Sequence, residues 1–387
     1  MLWPVAMARR GAGLWMGPVR VGDRWWRRVR RRTSEQVEAH ARRVELLTFR
    51  SHAYDDGLPV RGRLVLDRGL PPPGTQAGTT TGRICAMLRR YLSQEVTGAP
   101  IRIRWAGPEG SREVRCVTDE GGFFWAVVPG PIPRADAPTW EAVEVERADV
   151  GSPRSIAFVQ VTGHGSRVGV VSDIDDTVVV TRASRWWSHV ATVLSHEPST
   201  RAVFPGMAEL YGALHEEQAA PFWYLSSSAW NLADYWEDLF RLRGVPLGAF
   251  ELRELGAGAV APDRHRTHKR VRLEEIFKRT DLPLILVGDS GQHDARIYTE
   301  LLREWPERVA AVLIRDLGLQ GPGGPVATLL HQAESETGIP CRLARDATGM
   351  AEVLAGAGWL SPEGADRVRS ACSALVPRQA TTLAPPR

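Results

Sequence analysis

Three carboxylates stand within four positions in Asp173-Ile-Asp-Asp-Thr177, directly after the apolar run Val168-Gly-Val-Val-Ser172. Carboxylates this close repel one another once desolvated. They need a cation, shared protons or full solvation. A hard divalent ion with oxygen ligands answers that need, and Mg²⁺ is the usual choice beside phosphates. Asp-x-Asp alone is also what an exposed acidic turn looks like. The apolar lead-in instead places this one at the end of a buried strand. Further on, Phe222-Trp-Tyr-Leu-Ser-Ser-Ser228 takes a second apolar run into hydroxyl donors, where Ser226 and the adjacent Ser227 are candidates to hold a phosphoryl oxygen. Lys269 opens an amphipathic helix after His268; a compact ammonium suits phosphoryl oxygens and nearby carboxylates. It is one of two lysines, with Lys278, in a chain of 387 residues whose other basic residues are all arginine. Finally, Leu284-Ile-Leu-Val-Gly-Asp-Ser-Gly-Gln-His-Asp294 ends a third apolar run in Gly288-Asp289, with Asp294 shortly beyond. The glycine permits close backbone approach, and the two carboxylates can complete an octahedral Mg²⁺ site.

The elements that must carry these residues read as α/β. Apolar runs at 168–172, 221–226, 282–287, 308–315 and 341–344 predict strands. Helical patterns at 207–217, 232–243, 269–279, 293–305 and 350–357 lie between them. Near-continuous apolar strands alternating with helices imply a parallel sheet covered on both faces. Ligands of such sheets bind at the carboxyl ends of the strands, where all four polar segments fall.

Upstream, from 44 to 165, the texture is different. Val60–Leu66, Ile101–Trp105, Val114–Val117, Phe123–Val128, Trp140–Val145 and Ser155–Val161 read as short strands, separated by turn signals such as Thr118-Asp-Glu-Gly-Gly122. This predicts a β-sandwich. A helix is expected at 84–92 and a flexible loop at 71–81. Binding, or packing on the following domain, is the task this region suggests.

The expected organisation is a basic N-terminal arm (1–43), a β-rich domain (44–165), the α/β catalytic domain (166–362) and a disordered tail (363–387). The arm contains Arg24-Trp-Trp-Arg-Arg-Val-Arg-Arg-Arg32, suited to an anionic membrane surface or acidic partner, and equally readable as a solvated extension or a mis-assigned start ahead of Met7 or Met16. Residues 178–203, with Trp186, Trp187, His189 and Val193, are long enough for a small apolar cap. A net charge of +4 does not argue for nucleic acid. No apolar run approaches the roughly 20 residues that span a bilayer, and no signal peptide is expected. Cys85, Cys116, Cys341 and Cys372 are too sparse for a disulfide framework; reduced, buried thiols in a cytoplasmic protein are the expectation, with a peripheral membrane location as the alternative.

In order and placement the four polar segments resemble the motifs of the haloacid dehalogenase-like hydrolases: Asp-x-Asp-x-Thr, Ser/Thr, Lys and Gly-Asp-(x)-Asp, over about 166–360. The fuller strings Ser172–Val178, Phe204-Pro-Gly206, Tyr224-Leu-Ser-Ser-Ser-Ala-Trp-Asn-Leu232, His268-Lys269 and Gly288–Asp294 resemble the actin-patch type phosphatidate phosphatase family, whose bacterial members also carry a β-rich domain upstream. Ala229 stands where that family has Pro, and Leu252-Arg-Glu-Leu255 matches its Leu-Arg-Asp only approximately. The resemblance implies a Mg²⁺-dependent phosphomonoester hydrolase converting phosphatidate to diacylglycerol. In it Asp173 is the nucleophile and Asp175 the general acid and base. Mg²⁺ is held by Asp173, the Asp175 carbonyl and Asp289, supported by Asp294. Ser226, Ser227 and Lys269 bind the phosphoryl oxygens, Thr177 orders the loop, and Asp176 sits behind it. A soluble phosphomonoester as substrate, or an adaptor with a vestigial enzyme, are the alternative readings.

Overall fold

The structure is a computed structural model that describes residues 44–70, 80–179, 202–254, 262–291, 293–319 and 323–374. The basic arm, most of the 71–81 loop, nearly all of the expected cap and the last 13 residues lie outside the described residues.

The upstream region forms eight strands: β1 (Val44–Phe49), β2 (Ser51–His52), β3 (Gly57–Leu66), β4 (Pro100–Gly107), β5 (Gly110–Val117), β6 (Phe123–Pro129), β7 (Thr139–Arg147) and β8 (Arg154–Val161), with helix α1 (Thr80–Tyr91) between β3 and β4. They make a three-stranded sheet, β1-β3-β6, and a five-stranded sheet, β2-β8-β7-β4-β5. All neighbours are antiparallel except the short β2–β8 pair. Alternation along β4 buries Ile101, Ile103 and Trp105. The sequence reading missed β1 and β2, whose mixed sequence Val-Glu-Leu-Leu-Thr-Phe carries no clean period of two.

From residue 169 the strands are β9 (Gly169–Asp173), β10 (Phe222–Ala229), β11 (Ala249–Arg253), β12 (Leu284–Asp289), β13 (Val309–Arg315) and β14 (Cys341–Ala344). The helices are α2 (Met207–Gln218), α3 (Ala233–Arg243), α4 (Pro262–Arg279), α5 (Asp294–Glu304), α6 (Pro325–Thr337), α7 (Ala347–Gly356) and α8 (Pro362–Ala374). One six-stranded parallel sheet results, ordered β11-β10-β9-β12-β13-β14. Counted from β9 this is 3-2-1-4-5-6, the doubly wound order, whose switch point lies between β9 and β12. Successive residues along each strand feed opposite cores. Val170, Tyr224 and Val287 pack with α2, α3 and α7, whereas Val171, Leu225 and Leu286 pack with α4, α5 and α6. Burial on both faces is why these strands are apolar throughout.

Three expectations are corrected. The tail does not begin at 363: α8 runs to Ala374, capped by Ser361, whose Oγ accepts from Gly364 N at 2.9 Å, and Val368 is fully buried against the helical layer. Ser361-Pro362 was a legible start signal, a capping hydroxyl before proline at the first helical position. Secondly, the cysteines are free, but only Cys341 is buried; Cys85 is exposed. Thirdly, Lys269 does not open its helix: α4 begins at Pro262, a residue suited to a first helical position, and carries Lys269 in its interior. One strand, β11, escaped notice because an edge strand is short and charged, here with Glu251 and Arg253.

The β-rich region is fastened to this sheet. Phe49 stacks on Trp230 with centroids 4.6 Å apart, Arg61 pairs with Glu251 at 2.9 Å, and Phe250 N donates to Arg50 O across the β11 edge. Among the described residues no helix is long and apolar enough to cross a membrane.

Candidate active site

Parallel register brings the four polar segments to one edge of the sheet. Ser172 of β9 lies beside Tyr224 of β10 and Val287 of β12, so Asp173 and Asp289, the last residues of their strands, come to the same edge as Ser226, one place past the stretch of β10 that pairs with β9. The crevice between β9 and β12 is the switch point, and α5 begins there with Asp294.

Asp173, Asp289 and Asp294 are each buried, and one carboxylate oxygen from each lies within 4.8 Å of the others. Lys269 reaches in from α4, its Nζ donating to Asp173 Oδ1 at 2.8 Å and to Asp294 Oδ1 at 2.7 Å. Thr177 Oγ1 donates to Asp173 Oδ2 at 3.3 Å. Gly291 N donates to Asp289 Oδ1 at 2.6 Å, and Asp289 N to Asp294 Oδ2 at 3.4 Å. Gly288 permits this assembly, since a Cβ there would stand 2.6 Å from Asp294 Cβ and 2.7 Å from its Oδ2.

The electrostatics of the cluster follow from burial. Desolvation pushes the Asp173 carboxyl well above its ordinary range; Lys269 opposes this and the neighbouring aspartates add to it. Burial, then Asp294, push Asp289 up to about 7. Lys269 is raised despite its own burial, because Asp173, Asp294 and Asp289 surround it with negative charge. Buried carboxylates in excess over one ammonium, all oxygen donors, are the donor set a hard divalent cation takes. The residues present therefore fit such an ion.

Asp175 stands apart from this trio. Its Oδ2 accepts from Ser226 Oγ at 2.9 Å and Ser228 Oγ at 3.1 Å, while Ser228 N donates to Ser226 Oγ at 2.9 Å. Ser226 is thus turned toward Asp175. Ser227 Oγ is buried and has no hydrogen-bond partner among the described residues. Ser228 was not singled out from the sequence, although it sits in the same serine run. Two further residues were missed. Tyr211 of α2 meets Ser172 Oγ at 2.6 Å on the strand that carries Asp173, and Arg315 at the end of β13 donates to the Asp176 carbonyl at 3.0 Å. Nothing in their local sequence advertises the role; it arises from register and helix packing.

Fold and site together define an α/β domain with three buried aspartates that could hold a metal ion, and a lysine, at its switch point. Residues 168–316 match the family described as phosphatidate phosphatase APP1, catalytic domain. An uncharacterized protein of Schizosaccharomyces pombe is 26% identical over 154 residues, 39% of this chain and 25% of its own length. Phosphatidate phosphatase APP1 of Saccharomyces cerevisiae is 29% identical over 156 residues, 38% of this chain and 26% of its own. The chain thus spans about a quarter of the length of these curated relatives. Among solved structures, a 2,6-sialyltransferase from a Photobacterium species aligns over 58% of this chain and 38% of its own at 11% identity and a TM-score of 0.20, a likeness too distant to bear on the fold.

Proposed function

We propose that the chain is a Mg²⁺-dependent phosphatidate phosphatase with a haloacid dehalogenase-like catalytic domain, acting through an aspartyl-phosphate. One observation carries the reading: Asp173, Asp289, Asp294 and Lys269, from four separate elements, converge at the switch point of the sheet. The family match of residues 168–316 and the name of the yeast relative support phosphatidate as the substrate.

Asp173, Asp289 and Asp294 would hold the cation, with the Asp175 carbonyl as the further expected ligand; bound there, it offsets the charge of the phosphoryl oxygens. In the first step an Asp173 carboxylate oxygen attacks phosphorus, forming an O–P bond as the bond to the diacylglycerol oxygen breaks. Asp175 gives its proton to that departing oxygen. In the second step Asp175 takes a proton from water, whose oxygen attacks the phosphoaspartate and releases inorganic phosphate. Ser226 and Ser228 orient Asp175 for both transfers. Lys269 stays charged throughout and faces the phosphoryl oxygens that gain charge. The Ser227 hydroxyl, buried without a partner, is the donor left over for a substrate oxygen. The basic arm at 24–32 and the apolar segment at 178–203, both outside the described residues, are proposed to meet the lipid surface.

The test is phosphate release from phosphatidate in mixed micelles against a soluble aryl phosphate, with Mg²⁺ and with EDTA. Mg²⁺-dependent release favouring phosphatidate is expected. Equal or better turnover of the aryl phosphate would make the substrate a soluble phosphomonoester.

A further inference from the structure

The string Phe204-Pro-Gly206 has no part in the chemistry above, yet the structure ties it to the catalytic turn. Asp176 adopts a left-handed conformation with φ 56°, one of two non-glycine residues among those described to do so. Such a backbone is strained and persists only where its surroundings over-determine it. Several contacts converge on this turn. Asp176 N donates to Val179 O at 2.9 Å, Val178 N and Val179 N both donate to Ile174 O at 3.0 Å, and Phe204 N donates to Val178 O at 2.9 Å. The Asp176 carbonyl takes Arg315 Nη1 at 3.0 Å.

Arg315 is itself unusual. It pairs in register with Asp289, so it ends its strand beside the acidic cluster. Its guanidinium lies over the ring of Phe204. It forms no ion pair with a carboxylate among the described residues, and its buried Nε has no hydrogen-bond partner there. Burial pushes its pKa down to about 10, and the charges of Asp176, Asp289 and Asp346 offset only part of that. The contacts that hold this half-buried side chain are the Asp176 carbonyl and the Phe204 ring. A planar fork resting on an aromatic face also has little freedom to lose when it donates.

We propose that Arg315, braced on Phe204, is a positioning residue that fixes the left-handed turn at Asp176 and through it sets Asp173 and Asp175 for phosphoryl transfer. The turn separates the two aspartates from the segment that leaves the site, and Phe204 closes its far side. Gly206 completes the brace. It has φ 79°, and a Cβ there would stand 2.4 Å from Cys372 Sγ, so the chain can reverse into α2 only with glycine at this place. The inference rests on the phosphatase reading for its catalytic half, and on the geometry of the turn alone for its structural half.

Arg315→Ala and Arg315→Lys in the full chain test it by two independent readouts. Steady-state hydrolysis of an aryl phosphate with Mg²⁺ should show kcat falling about a hundredfold in Arg315→Ala with KM within about twofold, since misplacement of reacting groups costs rate rather than binding. Added guanidinium ion should restore part of that loss. Arg315→Lys keeps the charge and loses the fork, so it should stay well below wild type. Amide hydrogen exchange should quicken at Asp176, Val178 and Val179 in Arg315→Ala while the β12 amides keep their protection, which also shows that the variant is folded. A rise in KM with kcat preserved would make Arg315 a substrate contact and overturn the proposal, as would unchanged exchange at the turn. Should the wild-type chain hydrolyse no phosphomonoester, the phosphatase reading fails by itself, and the exchange measurement still decides whether Arg315 holds the turn.

Discussion

Lys269 Nζ lies 2.8 Å from Asp173 Oδ1 and 2.7 Å from Asp294 Oδ1, with all three side chains almost wholly buried. One ammonium therefore serves two carboxylates, and Asp289 makes a third within reach of the same point. Charge balance in this cluster needs either protons or a cation. The raised carboxyl of Asp289 is the protonated answer, and a divalent ion held by the three carboxylates would be the other.

Lys269→Ala should disturb that balance. Removing one partner of a buried ion pair costs about 3–5 kcal/mol, because the remaining charges are left uncompensated. Urea unfolding in EDTA should show a loss of this order, and added Mg²⁺ should recover part of it. A variant as stable as wild type in EDTA would mean that the carboxylates are already protonated and the ammonium is dispensable to the fold.

Asp173→Asn leaves shape and volume nearly unchanged and removes the attacking oxygen. Turnover should fall below about a hundredth of wild type, the least that loss of a nucleophile costs. Near-identical circular dichroism would show that the fold survives. Activity above that level places the nucleophile elsewhere.

What could be read from the sequence follows from how local each signal is. Asp173, Asp289 and Asp294 were legible because each ends or begins a strongly patterned element, and Ser226 and Lys269 because a hydroxyl run and a rare lysine stand out within theirs; strand ends are where such sheets bind ligands. The core strands β9, β10, β12 and β13 were legible because burial on both faces leaves an unbroken apolar run. Whether Ser226 faces the phosphate or Asp175 was not legible, since rotamers are set by neighbours from other elements. Arg315 and Tyr211 were invisible for the same reason: their partners, Asp176 and Ser172, lie 139 and 39 positions away. Edge strand β11 and helix α6 escaped because a charged edge and a helix opened only by Gly324-Pro325 present little periodicity.

Asp289 gives the pH dependence a definite sign. Its folded pKa of about 7 exceeds the ordinary 3.8, so between those values the metal-free folded chain holds a proton that the unfolded chain has released. That contribution to stability is complete below the lower value and is lost as pH rises through the upper one. A bound cation displaces the same proton, so its affinity should rise with pH and level off above about 7. Thermal unfolding between about pH 5 and 8, in EDTA and in Mg²⁺, should show the gap between the two widening as pH rises. A gap independent of pH would remove Asp289 from the ligand set.

Gly288→Ala probes the close approach that builds the acidic trio. The added methyl would meet Asp294 Cβ at 2.6 Å and the Tyr298 ring at 2.9 Å, both of them held in α5. Overpacking of this kind costs about 1–3 kcal/mol. Asp294 should be pushed off Lys269 and the cation site, so weaker Mg²⁺ binding by calorimetry should accompany the lower melting temperature. Unchanged binding with lowered stability would place Asp294 outside the cation site.

Ser226→Ala and Ser228→Ala separate two roles for the serine run. Both hydroxyls donate to Asp175 Oδ2, but Ser226 Oγ also accepts from Ser228 N, so it organises the pair. A hydrogen bond to a charged group contributes about 1.5–3 kcal/mol. If that energy serves to hold Asp175 for proton transfer, kcat falls between about ten- and a hundredfold. Ser226→Ala should lie at the larger end, because Ser228 loses its own anchor with it. KM should hold steady in both variants, since neither hydroxyl is turned toward the substrate. A KM rise in Ser226→Ala with kcat retained would instead return Ser226 to the role its sequence position first suggested, a donor to the phosphoryl oxygen.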